Sequence, residues 1–151
     1  MKFLKSFLCA CRGIFEAAKG RNFRIMLCAA AVVIFFAAMF YNFSAGEWAV
    51  LLLTCGAVLG FEALNTGIEK LADRVCAEND ELIRKCKDCA AGGVLLCSVF
   101  AAVVGVKLFW NEKAFSEIVG YFSEPLRAII LAVAAALMVL FVVLPKTKYK
   151  K

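Results

Sequence analysis

The chain has 151 residues, a formal net charge of +6 and eight cysteines, and 64% of its residues are hydrophobic. Its mean hydropathy of +0.83, with the apolar residues in long blocks, excludes an ordinary soluble domain and predicts an all-α integral membrane protein. Histidine is absent, which excludes histidine-based catalysis, and the basic residues flank apolar blocks, which favours anionic lipid headgroups over nucleic acid as their partner.

The first predicted element is an amphipathic helix over residues 3–18. Its apolar residues recur at helical spacing, while Lys5, Arg12, Glu16 and Lys19 fall mostly on the opposite face. Such a helix suits the plane of the lipid headgroups, or a place on the protein's own surface. Because Arg12 interrupts the apolar stretch early, we do not expect a signal peptide.

Two predicted membrane spans follow. Residues 25–43 are apolar and uncharged, and they are long enough to cross the hydrocarbon core. Residues 48–71 form a second helix that begins with an interfacial Trp48 and becomes polar toward its end. Its GxxxG pattern, Gly56 to Gly60, permits the close approach of another helix.

A charged segment and two more spans complete the chain. Residues 74–88 are predicted to be interfacial or a loop, and residues 89–110 form a third span that opens with small residues. After a further loop, residues 126–144 form a fourth span, which ends at Pro145 and a basic tail.

Basic residues indicate the orientation of the spans. They concentrate before the first span, between the second and third, and after the fourth, whereas the other side has only Lys107, Lys113 and Arg127. By the positive-inside rule, both termini and the middle segment lie in the cytoplasm. We therefore expect a multi-pass protein of the cytoplasmic membrane.

The second span carries a stripe of polar residues. Glu62, Asn65, Glu69 and Asp73 follow one another at helical spacing, within a sector about 80° wide. Each carboxylate near hydrocarbon costs roughly 2.5–3.5 kcal/mol. A helix that simply leaves the membrane explains Asp73 and Glu69, but not Glu62, which follows an apolar run. We therefore assign Glu62 a function.

A basic segment, residues 84–88, faces this stripe from beyond the charged loop. Lysine neutralises phosphate charge, and carboxylates hold a divalent ion that bridges phosphates. Alone, the segment is typical of a cytoplasmic flank. Together with the acidic stripe, it predicts a site for Mg²⁺ and a nucleotide. The chain has no GxxxxGK[ST] pattern, so such a site is not a P-loop.

The cysteines offer one alternative. Cys9, Cys11, Cys86 and Cys89 together could supply four sulfur ligands for zinc. A lone CxxC is weak evidence for such a site, so reduced thiols are the preferred interpretation.

The acidic stripe and the basic segment together resemble the prokaryotic diacylglycerol kinase family, which includes undecaprenol kinase. The resemblance covers roughly residues 3–110, and the matching residues are Glu62-Ala-Leu-Asn65-Thr-Gly-Ile-Glu69-Lys-Leu-Ala-Asp73 and Lys87-Asp88-Cys-Ala-Ala-Gly. It implies an amphipathic surface helix, three membrane helices, and a homotrimer with sites shared between subunits. It also implies ATP- and Mg²⁺-dependent phosphorylation of a membrane lipid, undecaprenol or diacylglycerol. Residues 1–111 then form the kinase-like domain, and residues 112–151 an added loop, span and tail.

The resemblance also implies roles for particular residues. Glu62 takes the proton from the lipid hydroxyl, and Glu69 binds the divalent ion that accompanies ATP. Asn65 and Asp73 orient the nucleotide and the catalytic groups.

Other residues are implied to contact the nucleotide. Lys87 and Asp88 bind it directly, and Glu78 and Asp80 lie near its adenosine side. Phosphoryl transfer needs mainly positioning and charge neutralisation, which these residue types supply.

The chain departs from the family pattern in two places. The family has a second metal-binding glutamate where this chain has Gly20, and Glu16, one helical turn earlier, is the candidate replacement. The fourth span is the other departure, because the family ends after the third.

Two other classes of protein remain open. A four-span transporter would use Glu62 as a proton-coupling carboxylate and would need no nucleotide site. A degenerate family member would keep the scaffold without the activity, which the loss of the glutamate at Gly20 permits.

Overall fold

The structure, a computed structural model, describes residues 2–75 and 80–143, and no strand occurs in these two ranges. Its helices are α1 (Lys2–Ala18), α2 (Arg21–Phe40), α3 (Ala45–Val75), α4 (Glu81–Phe109), α5 (Glu112–Phe122) and α6 (Pro125–Val143). Four of them, α2, α3, α4 and α6, are long and apolar enough to cross a membrane. The all-α membrane class predicted from the sequence is confirmed.

Of the two alternatives predicted for residues 74–88, an interfacial segment or a loop, the loop is wrong for most of the length, because most of these residues are helical. Helix α3 continues to Val75 and α4 already begins at Glu81. The side chain of Asp80 caps α4, because its Oδ1 accepts hydrogen bonds from the backbone N–H of Leu82 at 2.7 Å and of Ile83 at 3.4 Å. The charged residues after Asp80 therefore form the first turns of a helix.

The second predicted loop also contains a helix, α5. Asn111 starts it by accepting hydrogen bonds from the backbone N–H of Lys113 and Ala114. Ala114 is buried and Phe115 is exposed, so α5 is amphipathic. Helix α6 agrees with the fourth predicted span, apart from residue 144, which lies outside the described residues.

Helices α3 and α4 form the most extensively packed pair. A Cβ atom added to Gly93 on α4 would lie 3.0 Å from the ring of Phe61 on α3, so the missing side chain allows this ring to fit. The close approach that Gly56 and Gly60 permit is not used among the described residues, where no neighbouring helix has an atom within 4 Å of a Cβ at either position.

Helix α1 packs on the protein at one end and leaves an apolar face exposed. Ala17, near its C-terminal end, is buried against the protein, whereas Phe3 and Phe15 are largely exposed. Lys70 of α3 pairs with the Glu16 carboxylate at 3.3 Å and holds α1 at that end of the bundle. The exposed apolar face of α1 suits a membrane surface.

Candidate functional site

The polar stripe of α3 passes from the protein interior to the surface. Glu62 and Asn65 are only 4% and 5% exposed, whereas Glu69 and Asp73 are exposed. Since Glu62 and Glu69 are about two helical turns apart, roughly 10 Å along the axis, both carboxylates lie on the same side of α3. The stripe predicted from the spacing therefore leads from a buried acid to the solvent.

Asn65 lies between the buried and the exposed part of the stripe, and its side chain has an acceptor atom without a partner among the described residues. Its Nδ2 donates a hydrogen bond to Glu69 Oε1 at 3.2 Å. Its Oδ1 is buried and has no hydrogen-bond partner among the described residues. Because a buried amide oxygen without a partner is unfavourable, this atom is suited to accept a ligand.

Helix α4 adds a cation to the exposed end of the stripe. Lys87 Nζ pairs with Asp73 Oδ1 at 3.0 Å, across the two helices. Glu69 is also close enough to Lys87 to attract it electrostatically. The basic segment and the acidic stripe, predicted to face each other, therefore meet through Lys87.

Three other residues of the predicted nucleotide site differ in their placement. Asp88 is exposed next to Lys87 in sequence. Asp80 is engaged in capping α4, which explains its presence without a ligand. Glu78 lies outside the described residues.

The donor set can be tested against a metal ion. In the described ranges, no three Cys, Asp or Glu side chains come together as a ready-made metal site. Mg²⁺, however, uses one or two carboxylates together with substrate phosphates and water. Glu69 and the spare Asn65 Oδ1 match that need, so the residues fit magnesium that arrives with a nucleotide. The zinc alternative at the cysteines gains no support.

Gly20 lies beside α3 but offers no ligand. A Cβ atom there would lie 3.1 Å from the carbonyl oxygen of Ala17 and 3.8 Å from Thr66 Oγ1. The candidate replacement, Glu16, is paired with Lys19 and Lys70 instead. The hydrogen bond from Lys19, helped by Lys70, holds the pKa of the Glu16 carboxyl below its ordinary range. The structure thus gives Glu16 cationic partners of its own.

Sequence reasoning missed the role of Arg24, which it counted only as a flanking charge. Arg24 is 7% exposed, and its Nη1 donates a hydrogen bond to the carbonyl oxygen of Phe141 at 2.8 Å. An arginine inside a membrane helix needs a partner, which was the available signal. The identity of that partner, 117 residues away in α6, required the structure.

Comparisons with known proteins identify the family of the chain. The family described as prokaryotic diacylglycerol kinase matches residues 8–109. An undecaprenol kinase of Bacillus subtilis is 35% identical over 109 residues, which cover 72% of this chain and 88% of that protein. A diacylglycerol kinase of Synechocystis sp. is 41% identical over 104 residues, which cover 68% of this chain and 59% of that protein. No solved structure matches significantly. The chain belongs to the prokaryotic diacylglycerol kinase family.

Proposed function

We propose that the protein transfers the γ-phosphoryl group of ATP to the hydroxyl group of a membrane lipid at the cytoplasmic surface. The observation that carries this proposal is the stripe of α3, in which a buried Glu62 and a spare Asn65 oxygen lie near an exposed Glu69. Lys87 stands at the open end of the same stripe. Such an arrangement suits a lipid hydroxyl approaching from the membrane and a polyphosphate approaching from the water.

We assign the proton transfer to Glu62. Its carboxylate accepts the proton of the lipid hydroxyl as the hydroxyl oxygen bonds to the γ-phosphorus atom. The bond between that phosphorus and the bridging oxygen of the β-phosphate breaks, and ADP leaves with the electron pair. The burial of Glu62 keeps bulk water, a competing acceptor, away from the reacting atoms.

Glu69 and the Oδ1 atom of Asn65 are the groups we assign to a magnesium ion. When bound, the ion neutralises charge on the transferring phosphoryl group. The hydrogen bond from Asn65 Nδ2 fixes the Glu69 carboxylate in place, so that Asn65 both holds a ligand and supplies one. With Asn65 used in both ways, the assigned magnesium site needs no further carboxylate.

The nucleotide is assigned to the exposed end of the stripe. Lys87 is suited to pair with a phosphate, and Asp73 holds it in position until the nucleotide arrives. Asp88 is assigned to a contact with the nucleotide. Asp80 caps α4 through Oδ1, and contacts of Asp80 and Glu78 with the adenosine side stay predictions.

An apolar cavity supports a lipid as the acceptor. Its volume is about 300 Å³, and it lies between α2, α3 and α4. Val58, one turn before Glu62, lines one part of the cavity, and Phe109 lines another. Part of a chain of undecaprenol or of diacylglycerol can occupy such a space, one helical turn of α3 from Glu62.

Orientation and assembly belong to the same proposal. The positive-inside rule places both termini in the cytoplasm. The open space around Gly56 and Gly60 supports contact with a second copy of the chain, as the predicted homotrimer requires. The predicted domain boundary between residues 111 and 112 falls between α4 and α5.

Incubation of the purified protein with labelled ATP, Mg²⁺ and each lipid in turn tests the proposal. We expect one lipid to be phosphorylated, with a loss of about 10²- to 10⁴-fold in Glu62→Gln, because proton transfer by the carboxylate is removed. Glu47→Gln, in the first turn of the same helix, is the matched control and should keep its activity.

Other results identify the rival classes. Proton-coupled transport without ATP hydrolysis would indicate a transporter that uses Glu62. Neither phosphorylation nor transport, in a folded preparation, would indicate a degenerate family member. Equal losses in Glu62→Gln and Glu47→Gln would remove the basis for assigning Glu62 the proton transfer.

A further inference from the structure

Helix α6, which lies outside the residues 8–109 that match the family, has no buried residue along its length. It therefore gains little from continuous packing, and its position depends on contacts near its two ends. Among the described residues, Arg24 contacts α6 near one end and Arg127 forms contacts near the other. The two arginines provide a natural comparison, because they hold the same helix at opposite ends.

Arg24 holds the C-terminal end of α6. The last four carbonyl groups of a helix have no partner within it and carry a partial negative charge. Arg24 supplies both a hydrogen bond to the Phe141 carbonyl oxygen and a positive charge, and its guanidinium lies 5.7 Å from the centroid of the Phe141 ring. The C-terminal end of α6 is thus bound by a residue of α2.

Arg127 holds the other end of α6 through α5. Its guanidinium lies 4.3 Å from the centroid of the Tyr121 ring, and its Nη1 donates to the Tyr121 carbonyl oxygen at 3.4 Å. These contacts join α6 to the neighbouring α5. They involve no residue of the polar stripe.

Arg24, in contrast, is connected to the stripe by a short series of contacts. Its backbone N–H donates to the Gly20 carbonyl oxygen at 3.3 Å, and the Gly20 N–H donates to the Ala17 carbonyl oxygen at 2.8 Å. Gly20 approaches Thr66 on α3, where an added Cβ atom would lie 3.8 Å from its hydroxyl oxygen. Thr66 directly follows Asn65 in the sequence.

We infer that Arg24 is a positioning residue, through which the C-terminal end of α6 fixes the junction of α1 and α2 against α3 beside the polar stripe. The fourth span then forms part of the frame of the site. Its docking on Arg24 holds the start of α2, and the start of α2 holds the turn of α3 that carries Asn65.

Hydrogen exchange of the full-length protein tests this inference without reference to activity. We expect backbone amides of residues 61–73 to exchange several-fold faster in Arg24→Gln than in the natural protein, because local opening becomes easier. Arg127→Gln is the matched control and should leave these amides unchanged. Equal rates in the two variants, or no change in Arg24→Gln, would overturn the inference.

A second variant guards against a loss of folding in Arg24→Gln. Phe141 is 40% exposed on α6, so Phe141→Ala should fold, and it removes the ring against which Arg24 lies. We expect faster exchange in residues 61–73, to a smaller extent than in Arg24→Gln. Unchanged exchange there in a folded Phe141→Ala would contradict the inference.

The catalytic consequence rests on the proposed function. The half-saturating Mg²⁺ concentration should rise about tenfold in Arg24→Gln, as for other residues that orient metal ligands. Arg24→Lys keeps the positive charge, so its half-saturating Mg²⁺ concentration should be close to that of the natural protein. Arg127→Gln should also have the half-saturating concentration of the natural protein. Half-saturation that is unchanged in Arg24→Gln would overturn this consequence. If the natural protein phosphorylates neither lipid, the proposed function fails, and the exchange rates still decide the inference.

Discussion

The two ends of the helix bundle are held together by different chemistry. At the end where α5 lies, aromatic rings pack against one another. At the end where α1 lies, polar side chains cross between helices, and the buried Glu62 and Asn65 lie toward this end. The comparison suggests that one end is built for stability and the other for binding.

Around α5, ring contacts join elements that are distant in sequence. The rings of Tyr41 and Phe109 have centroids 4.9 Å apart, and the Tyr41 hydroxyl donates to the Phe109 carbonyl oxygen at 3.0 Å. The rings of Phe40 and Tyr121 are 5.4 Å apart. Each such pair contributes about 0.5–1.5 kcal/mol beyond its buried area.

Around α1, the corresponding contacts are ion pairs at the surface. Lys87 with Asp73 and Lys70 with Glu16 are all at least 40% exposed at the side chain. Exposed pairs of this kind contribute about 0–1 kcal/mol each. The contacts between helices are therefore weaker at the polar end, and the charged groups there can change partners when a ligand binds.

The sharpest test of this difference removes an acid from the polar end. Glu69→Ala should lower kcat/KM about a hundredfold to a thousandfold while folding yield stays nearly unchanged, because it removes charge stabilisation at the phosphates. Asp88→Ala should act in the same direction. Lipid phosphorylation assays and yield in detergent measure the two effects.

The control for these variants is Glu81→Ala. Glu81 is exposed and, among the described residues, pairs with Lys85 one turn along α4, so its loss should change neither quantity. Equal losses of activity and yield in Glu69→Ala would make the residue structural and would erase the contrast between the two ends.

The opposite result is expected at the aromatic end. Phe40→Ala removes the ring contacts with Tyr121 and Phe122, and it should lower the free energy of unfolding by about 1–3 kcal/mol. Activity per folded molecule should remain. Denaturation in detergent measures the change, and Phe115→Ala, on an exposed α5 ring, is the control. A loss of turnover without a loss of stability would contradict the comparison.

The apolar cavity between the two ends predicts a smaller effect. Ala101→Leu places added carbon atoms in this cavity, and it should raise KM for the lipid about tenfold because chain and side chain compete for space. KM for ATP should not change. Ala102→Leu, which adds the same atoms at an exposed position, is the control. An unchanged KM for the lipid would show that its chain binds elsewhere.

The smallest effect concerns the attachment of α1. Hydrogen bonding from Lys19 lowers the pKa of the Glu16 carboxyl in the folded state. Its contribution to stability is therefore present above the ordinary value of about 4.3 and is lost as pH falls through the lower, folded value. The melting temperature of Glu16→Gln should approach that of the natural protein as the medium is acidified. A difference in melting temperature between the two proteins that widens on acidification would contradict the predicted pH dependence.

Helical spacing was enough to predict the stripe of α3 and the class of the fold. The sequence could not show which polar pairs form, because each depends on where another helix lies. Asp80 is an example: an aspartate is suited both to capping a helix and to contacting a nucleotide, so the residue type alone does not distinguish the two roles. Helix α5 was missed because it is short and its apolar residues form no long block. The pair of Arg24 and Phe141 joins residues too distant in sequence for any local pattern.

The glycine at position 93 has a consequence for the acid on the facing helix. The ring that rests on it belongs to Phe61, the residue immediately before Glu62. A methyl group on that glycine would lie 3.0 Å from the ring, so the ring would have to move. The fit of α3 against α4 beside Glu62 therefore depends on a residue that has no side chain.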